Sequence, residues 1–434
     1  MPSSCSFSTK LERIAQLAKE APDMSFTSLS HYLDIDLLKE AFRRTRKNGS
    51  PGVDGQTARA YELELESNLC NLLNRVKSGS YRAPCVRRVY IPKGNGKETR
   101  PIGIPTFEDK ILQRGIAMIL EAIYEQDFHD CSYGFRPGRS PHQMLETVRD
   151  QIMSIGGGYV IEVDMRKFFD TLDHQYLREI LSHRVRDGVL TRLIGKWLNA
   201  GIFENGQVSF PEMGTPQGGV ISPLLANVFL HEVVDKWFEE DVKPRLSNVG
   251  NLYRYADDII IVLSSERDAH RLMAVLPKRL GKYGLSLHPD KTRVVHFVPK
   301  GKGNSFSLLG FTHYWDKSRR GYSVVKRKTD RKRFSAATQR MSKWCRENRA
   351  KTIPQQHKIL SAKLRGHYSY YGITGNASGL SRFYHEVRRL WKKWLNRRSW
   401  RTSDSWDNFK RIIERFPLPR PIAIHSAYRR VANI

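Results

Sequence analysis

The stretch Tyr253-Arg254-Tyr255-Ala256-Asp257-Asp258, followed at once by Ile259-Ile260-Ile261-Val262-Leu263, decides how this chain is read. Two adjacent carboxylates stand between an aromatic run and a β-branched run, which predicts strand, tight turn, strand with the acids at the tip. A hairpin tip presenting bare carboxylates is a seat for divalent cations. Roughly ninety positions earlier, Tyr159-Val160-Ile161-Glu162-Val163-Asp164 predicts a second apolar strand that also ends on an acid. Three acids gathered around a pair of Mg²⁺ ions suit nucleotidyl transfer, which needs positioning and charge neutralisation more than covalent help. Taken singly, each acid has a plainer reading: Asp is a favoured turn residue at a hairpin tip, and a strand-ending Asp commonly caps the next element.

The 434 residues are 40% hydrophobic, which supports real cores and room for two or three domains. The formal net charge of +29 points to a polyanionic partner. It is unevenly placed: Lys317 to Ile434 carry 31 Lys and Arg against 6 Asp and Glu, whereas the first 316 residues carry 42 against 38. Trp344, Tyr368, Tyr370, Tyr371, Phe383, Tyr384, Trp391, Trp394 and Trp406 within the basic quarter call for a core or a stacking partner, so a folded basic domain is expected. Cys5, Cys70, Cys85, Cys131 and Cys345 are scattered without a C-x-x-C pair, which indicates neither a zinc site nor a disulfide framework and fits a reducing compartment. The first residues lack the charged start and apolar run of a signal peptide, and no stretch of about 18 apolar residues predicts a membrane span. A bacterial cytoplasm is the expected location.

Helices are predicted over about 8–75 with a glycine-rich break at 48–55, from 106 to about 125, 141–155, 174–200, from 219 to about 239, and 266–283. Strands are predicted at 86–92, 100–105, 159–164, on both sides of Asp257, and from 307 on. Strands and helices interleave without a βαβ period, which predicts an α+β fold. Three parts follow: a helical extension over 1–80, a body over 81–316 and a basic helical region over 317–434.

The order of segments adds what single motifs cannot. Ile91-Pro92-Lys93, Arg100-Pro101-Ile102-Gly103-Ile104-Pro105 and Ser132-Tyr133-Gly134-Phe135-Arg136-Pro137-Gly138-Arg139-Ser140 come first. Val163-Asp164-Met165-Arg166-Lys167-Phe168-Phe169-Asp170, Gly214-Thr215-Pro216-Gln217-Gly218-Gly219 and Tyr255-Ala256-Asp257-Asp258 follow. Leu285-Ser286-Leu287-His288-Pro289-Asp290-Lys291-Thr292 and Leu308-Leu309-Gly310-Phe311 complete the series. It resembles the motif series of reverse transcriptases, and most closely that of group II intron-encoded reverse transcriptase/maturases, over about 40–315. Beyond about 320 the chain looks like that family's thumb, with the looser motifs Leu364-Arg365-Gly366-His367-Tyr368 and Phe416-Pro417-Leu418-Pro419-Arg420-Pro421.

The resemblance implies a right-hand polymerase, fingers and palm with an antiparallel palm sheet, followed by an α-helical thumb. It implies Asp164, Asp257 and Asp258 as ligands of two Mg²⁺ ions and Lys291 as a general acid for the leaving pyrophosphate. Phe169, five positions after Asp164, would be the steric gate that refuses a 2′-hydroxyl. Gln217 would face the incoming nucleotide, and Lys93 and Arg100 would hold its triphosphate. Tyr133, Phe135, Arg136 and Arg139 would contact the template. In the basic quarter, Val387, Leu390, Trp391, Trp394 and Leu395 form an apolar stripe at helical spacing, with Arg388 and Lys392 on the charged face toward RNA.

The implied partners are an RNA template, a DNA primer, dNTPs and structured group II intron RNA, without a membrane; a homodimer stays open. No Cys-pair zinc pattern or His-Asn-His segment is seen near the end, so an endonuclease-less type is expected. Two other roles stay open on sequence alone: a domesticated relative serving phage defence or DNA repair, and a non-catalytic splicing factor.

Overall fold

The N-terminal helices follow from apolar residues at helical spacing. α1 (Ser3–Glu20) buries Ile14 and Ala18, and α2 (Ile35–Arg44) buries Leu37, Leu38, Ala41 and Phe42. Asp34 caps α2 by accepting from the Leu37 amide (2.9 Å). After α3 (Ala58–Glu62) and α4 (Leu65–Lys77) come β1 (Val86–Lys93) and β2 (Glu98–Ile104). Thr106 then caps α5 (Phe107–Asp127), which is buried over most of its length and receives α1 and α2. The computed structural model describes residues 3–93, 98–204, 206–210, 213–214, 218–299, 304–398 and 406–425.

The chain continues through α6 (Pro141–Ser154), β3 (Gly158–Val163), α7 (Phe168–Thr171), α8 (His174–Arg184), α9 (Gly188–Leu198), β4 (Ile202–Glu204), β5 (Gln207–Ser209) and α10 (Ser222–Leu230). β6 (Gly250–Tyr255), β7 (Asp258–Leu263), α11 (Glu266–Gly281) and β8 (Arg293–Phe297) follow. Two mixed-length sheets result, ordered β2-β1-β4-β5 and β6-β7-β3-β8. β7 is antiparallel to both neighbours, β6 and β3. Its residues Ile259 to Leu263 are all buried, as befits a central strand covered on both faces. The helix expected to run on to about Glu239 is not uniform. Beyond Leu230 it widens into π-helical turns at His231–Lys236 and Phe238–Val242, a geometry that concentrates at functional positions.

Two compact units divide the chain. The first comprises Met1–Ile91, Thr99–Met144 and Tyr159–Val294, and its core runs from Ile14 through α5 and β7 to Leu285. Within it Asp109 is a buried polar hub. Tyr81 Oη (2.5 Å) and Trp197 Nε1 (2.7 Å) donate to its Oδ1, and Gln113 Nε2 (3.0 Å) to its Oδ2. Burial still pushes its carboxyl up to about 6 against the pull of those three donors.

The second unit comprises Pro92–Glu98, Leu145–Gly158 and Val295–Ile434. β9 (Ser305–Leu308), β10 (Phe311–Lys317) and β11 (Ser323–Thr329) form an antiparallel sheet ordered β11-β10-β9. The β9–β10 loop is the two residues Leu309 and Gly310, both left-handed (φ 49 and 80), the form that matches strand twist. α12 (Arg331–Glu347), α13 (Ile353–Tyr371), α14 (Ala377–Leu395) and α15 (Trp406–Arg415) pack around Met341, Leu360, Leu364, Phe383, Val387 and Trp391. The stripe read on α14 is its packed face: Val387, Trp391 and Leu395 are buried, with Leu390 and Trp394 half-buried against the same core. Not every basic residue here faces water. Arg327 is buried and pairs with Glu146 (2.7 Å). No helix of the described residues is long and apolar enough to cross a membrane.

Candidate active site

The acidic turn is built by strand register. β6 and β7 pair from Gly250–Leu263 up to Tyr255–Asp258, which leaves Ala256 and Asp257 as a two-residue loop. Such loops need a left-handed residue, and here it is Ala256 (φ 56). On the other side of β7, Val163 of β3 lies opposite Ile259. Asp164 follows Val163 and Asp258 precedes Ile259, so the pairing leaves both acids at the same end of the sheet. The three acids therefore gather at one end of one sheet, Asp164 and Asp257 half-buried and Asp258 exposed.

A second segment is laced onto Asp164. The Arg166 amide donates to Ser286 O (2.9 Å), the His288 amide to Asp164 O (2.8 Å), and the Asp164 amide to Thr292 Oγ1 (3.3 Å). Lys291 is carried in by this lacing, and its Nζ stands 3.4 Å from Asp164 Oδ2. Both side chains are substantially exposed, so the pair adds little stability, but it sets an ammonium beside the acid.

Beneath the turn lies a network that sequence reasoning missed. Arg254 is fully buried, its Nε and Nη2 bonded to the two carboxylate oxygens of Asp235 (2.7 and 2.5 Å). Its Nη1 donates to Asn227 Oδ1 (2.8 Å) and to Ala256 O (3.3 Å), and its Nη2 also to Ser132 Oγ (2.8 Å). Asn227 Nδ2 in turn donates to Gly134 O (2.7 Å). Asp235 sits on the first π-helical stretch. Neighbouring His231 is held neutral, since burial lowers its imidazole to about 4, so Arg254 is the charged partner of Asp235. The only hints in the sequence are an Arg, an Asn and an Asp inside otherwise apolar runs.

Gly134 closes on the turn so tightly that a Cβ there would collide with the backbone of Ala256 and Tyr255. Gly134→Ala should displace the turn and lower any catalysis that depends on these acids about a hundredfold, because a shift of about 1 Å at reacting groups costs that much. Single-turnover extension and a melting curve check this; wild-type rates would remove Gly134 from any positioning role.

Phe169 is half-buried against the core, edge-on to Phe168 at 5.2 Å. Gly214 (φ 90) lies against the backbone of Phe169 and Asp170, where a Cβ would come within 2.9 Å of both carbonyl oxygens. Its amide donates to Leu172 O (2.8 Å). At the far end of the same loop, Gly218 (φ 129) approaches the Gly103 carbonyl, with a Cβ position 2.5 Å from that oxygen. Gln217 itself lies outside the described residues, as does the Lys93 side chain. Arg100 is exposed on β2.

The residues expected on the template divide. Tyr133 is buried, with Arg139 over its ring at 5.5 Å. Arg136 is buried too, and it is spent on Glu125 (3.0 Å) and on the carbonyls of His129 (2.8 Å) and Ser132 (3.0 Å). Its Nε and Nη1 donors thus brace the loop from within. Phe135 is exposed, and Arg139, half-buried, pairs with Asp130. In the second unit Arg388 lies over the Tyr384 ring at 5.6 Å and Lys392 over Trp406 at 4.7 Å.

Among the described residues no three His, Cys, Asp or Glu side chains are drawn together tightly enough to hold a metal by themselves. The donors nevertheless suit Mg²⁺, which takes one or two carboxylates and completes its shell with water and substrate phosphate. The Lys291 ammonium beside Asp164 shows that a cation is accommodated there.

The chain matches the family described as reverse transcriptase (RNA-dependent DNA polymerase) over residues 91–313. It is 35% identical over 299 residues to the group II intron-encoded protein LtrA of Lactococcus lactis subsp. cremoris, covering 66% of this chain and 50% of that protein. It is 35% identical over 320 residues to protein YkfC of Escherichia coli (strain K12), covering 65% of this chain and 82% of that one. With nuclear intron maturase 2, mitochondrial, of Arabidopsis thaliana it shares 29% over 235 residues, 45% of this chain and 30% of that protein. The matched region thus spans about half the length of LtrA. Motif order, family match and these relatives agree: the chain belongs to the reverse transcriptase family and groups with the proteins encoded in group II introns.

Proposed function

We propose that this protein copies RNA into DNA by nucleotidyl transfer and binds group II intron RNA to promote its splicing and mobility. The observation that carries this is the register placing Asp164 alongside the Asp257–Asp258 turn, with Lys291 on Asp164. In this reading residues 1–80 are a helical extension, 81–316 the fingers and palm, and 317–434 the thumb. Asp164, Asp257 and Asp258 would hold two Mg²⁺ ions, which when bound supply charge neutralisation at the transferred phosphoryl and a more acidic primer 3′-hydroxyl. Lys291 is placed to give a proton to the departing pyrophosphate. Lys93 and Arg100 grip the triphosphate, Gln217 faces the nascent pair, and Phe135 and Arg139 meet the template. The basic face of α14, with Arg388 and Lys392, follows RNA phosphates, so affinity should fall steeply with salt. The splicing part of the reading draws on the intron maturase among the relatives.

The test is extension of a DNA primer on an RNA template by the purified chain with dNTPs and Mg²⁺, beside splicing of a group II intron RNA. Extension is expected, and its absence under conditions where the RNA is bound overturns the catalytic half of the reading. The Phe169 side chain supplies a further check. Phe169→Val should raise ribonucleotide incorporation relative to deoxynucleotide by about tenfold or more, the scale on which one apolar group discriminates. Unchanged sugar selectivity in competition assays would place the gate elsewhere.

A further inference from the structure

On α14, Tyr384, Arg388 and Lys392 recur at every fourth residue and so share one face. Alongside this face the chain that follows Leu418 runs back and closes a cleft of about 520 Å³. Leu380 and Pro421 give it apolar wall, while Tyr384, His385, Arg388 and Arg420 supply an aromatic ring, an imidazole and two guanidinium groups. No carboxylate lines it among the described residues.

The closing wall is fixed. Leu418 is buried in the core of this unit, and Pro419 O accepts from Tyr368 Oη (3.1 Å). The His425 amide donates to Gly372 O (2.8 Å), and its Nε2 meets Ser369 O (2.9 Å). Among the described residues Arg388 and Arg420 form no ion pair, the nearby Glu386 being taken by Arg389 at 3.1 Å, and the buried Nε of Arg388 has no hydrogen-bond partner. A second aromatic surface, Trp406 at 53% exposure, continues the row beyond Lys392.

A volume of this size lies within the roughly 300–1,000 Å³ of small-molecule sites and admits one nucleotide. Two guanidiniums with no carboxylate partner among the described residues select an anion, and a tyrosine with a guanidinium over its ring selects a base face beside it. A base inside an A-form helix keeps both faces stacked, so only an unpaired one can enter. We propose that this cleft binds a single unpaired nucleotide of a structured RNA, its base on Tyr384 and its phosphate between Arg388 and Arg420. The proposal rests on the reading of this unit as RNA-binding and gives it a discriminating element beyond bulk charge.

The test uses the full chain and two hairpin RNAs identical except that one carries a single bulged 2-aminopurine nucleotide. The bulged RNA should bind about tenfold tighter, with its fluorescence quenched on binding, as stacking of one base allows. Tyr384→Ala should erase both the preference and the quenching, and Tyr384→Phe should keep them. Arg420→Ala, a change at the surface wall, should weaken the bulged RNA preferentially and reduce the magnitude of its logarithmic salt slope by about one. Equal binding of the two hairpins by the wild type, or a preference that survives in both Tyr384→Ala and Arg420→Ala, overturns the cleft while leaving general RNA binding intact. Binding of neither RNA at low salt overturns the RNA-binding reading itself.

Discussion

Asp257→Asn is expected to slow primer extension by about a thousandfold or more, about 4 kcal/mol of transition-state stabilisation, while RNA affinity stays within about twofold of wild type. The change is nearly isosteric, and Asn is as much at home in a hairpin loop as Asp, so the two-residue turn between β6 and β7 keeps its form. What is lost is one negative charge at the place proposed to hold hard dications, and a neutral amide oxygen is a poor substitute for a carboxylate. RNA affinity should be insulated, because on the proposed reading it derives from basic side chains elsewhere, above all in the last quarter, where Lys and Arg number 31 against 6 acids. Single-turnover extension over a Mg²⁺ titration, paired with filter binding, measures both sides. Extension at the wild-type rate would mean that the ions sit on other residues.

The second large effect is on stability, with a separable effect on activity. Arg254→Met strips the fully buried Asp235 of its partner, and stranding one buried charge costs about 3–5 kcal/mol. The melting temperature should fall by roughly 10 °C. Arg254→Met combined with Asp235→Leu removes the stranded charge and should recover most of that loss, since apolar replacements of a buried pair are well tolerated. The bonds from Arg254 to Ala256 O and Asn227 stay missing in the double variant. If the network positions the acidic turn, the double variant melts near wild type yet extends primers slowly and needs more Mg²⁺ for half-maximal rate. Should activity return in step with the melting temperature, the network is only structural.

Much of the fold was legible because it depends on period and order. The acidic hairpin follows from its aromatic and β-branched flanks, and the packed face of α14 follows from Val387, Leu390, Trp391, Trp394 and Leu395. What escaped depends on burial, which residue type alone does not reveal. Arg136, expected on the template, and Arg327, in a strongly basic stretch, are both buried against carboxylates, Glu125 and Glu146. Ser132, Asn227, Asp235 and Arg254 are separated by up to 122 positions, and nothing local marks them as one network. The π-helical turns after Leu230 escaped for another reason: the apolar spacing of an α-helix and of its widened form differ too little over six residues to be told apart.

Ala256 carries a last consequence. A residue with a Cβ held at φ 56 sits uphill by about 1–3 kcal/mol, and it stays there only while its surroundings insist. The cheapest way for this protein to fail is therefore not to melt but to let one amide swing over, aiming the acid beside it in a new direction. Mild denaturant, or a lesion far from the acidic turn, would then silence the proposed activity while every helix still reads as folded.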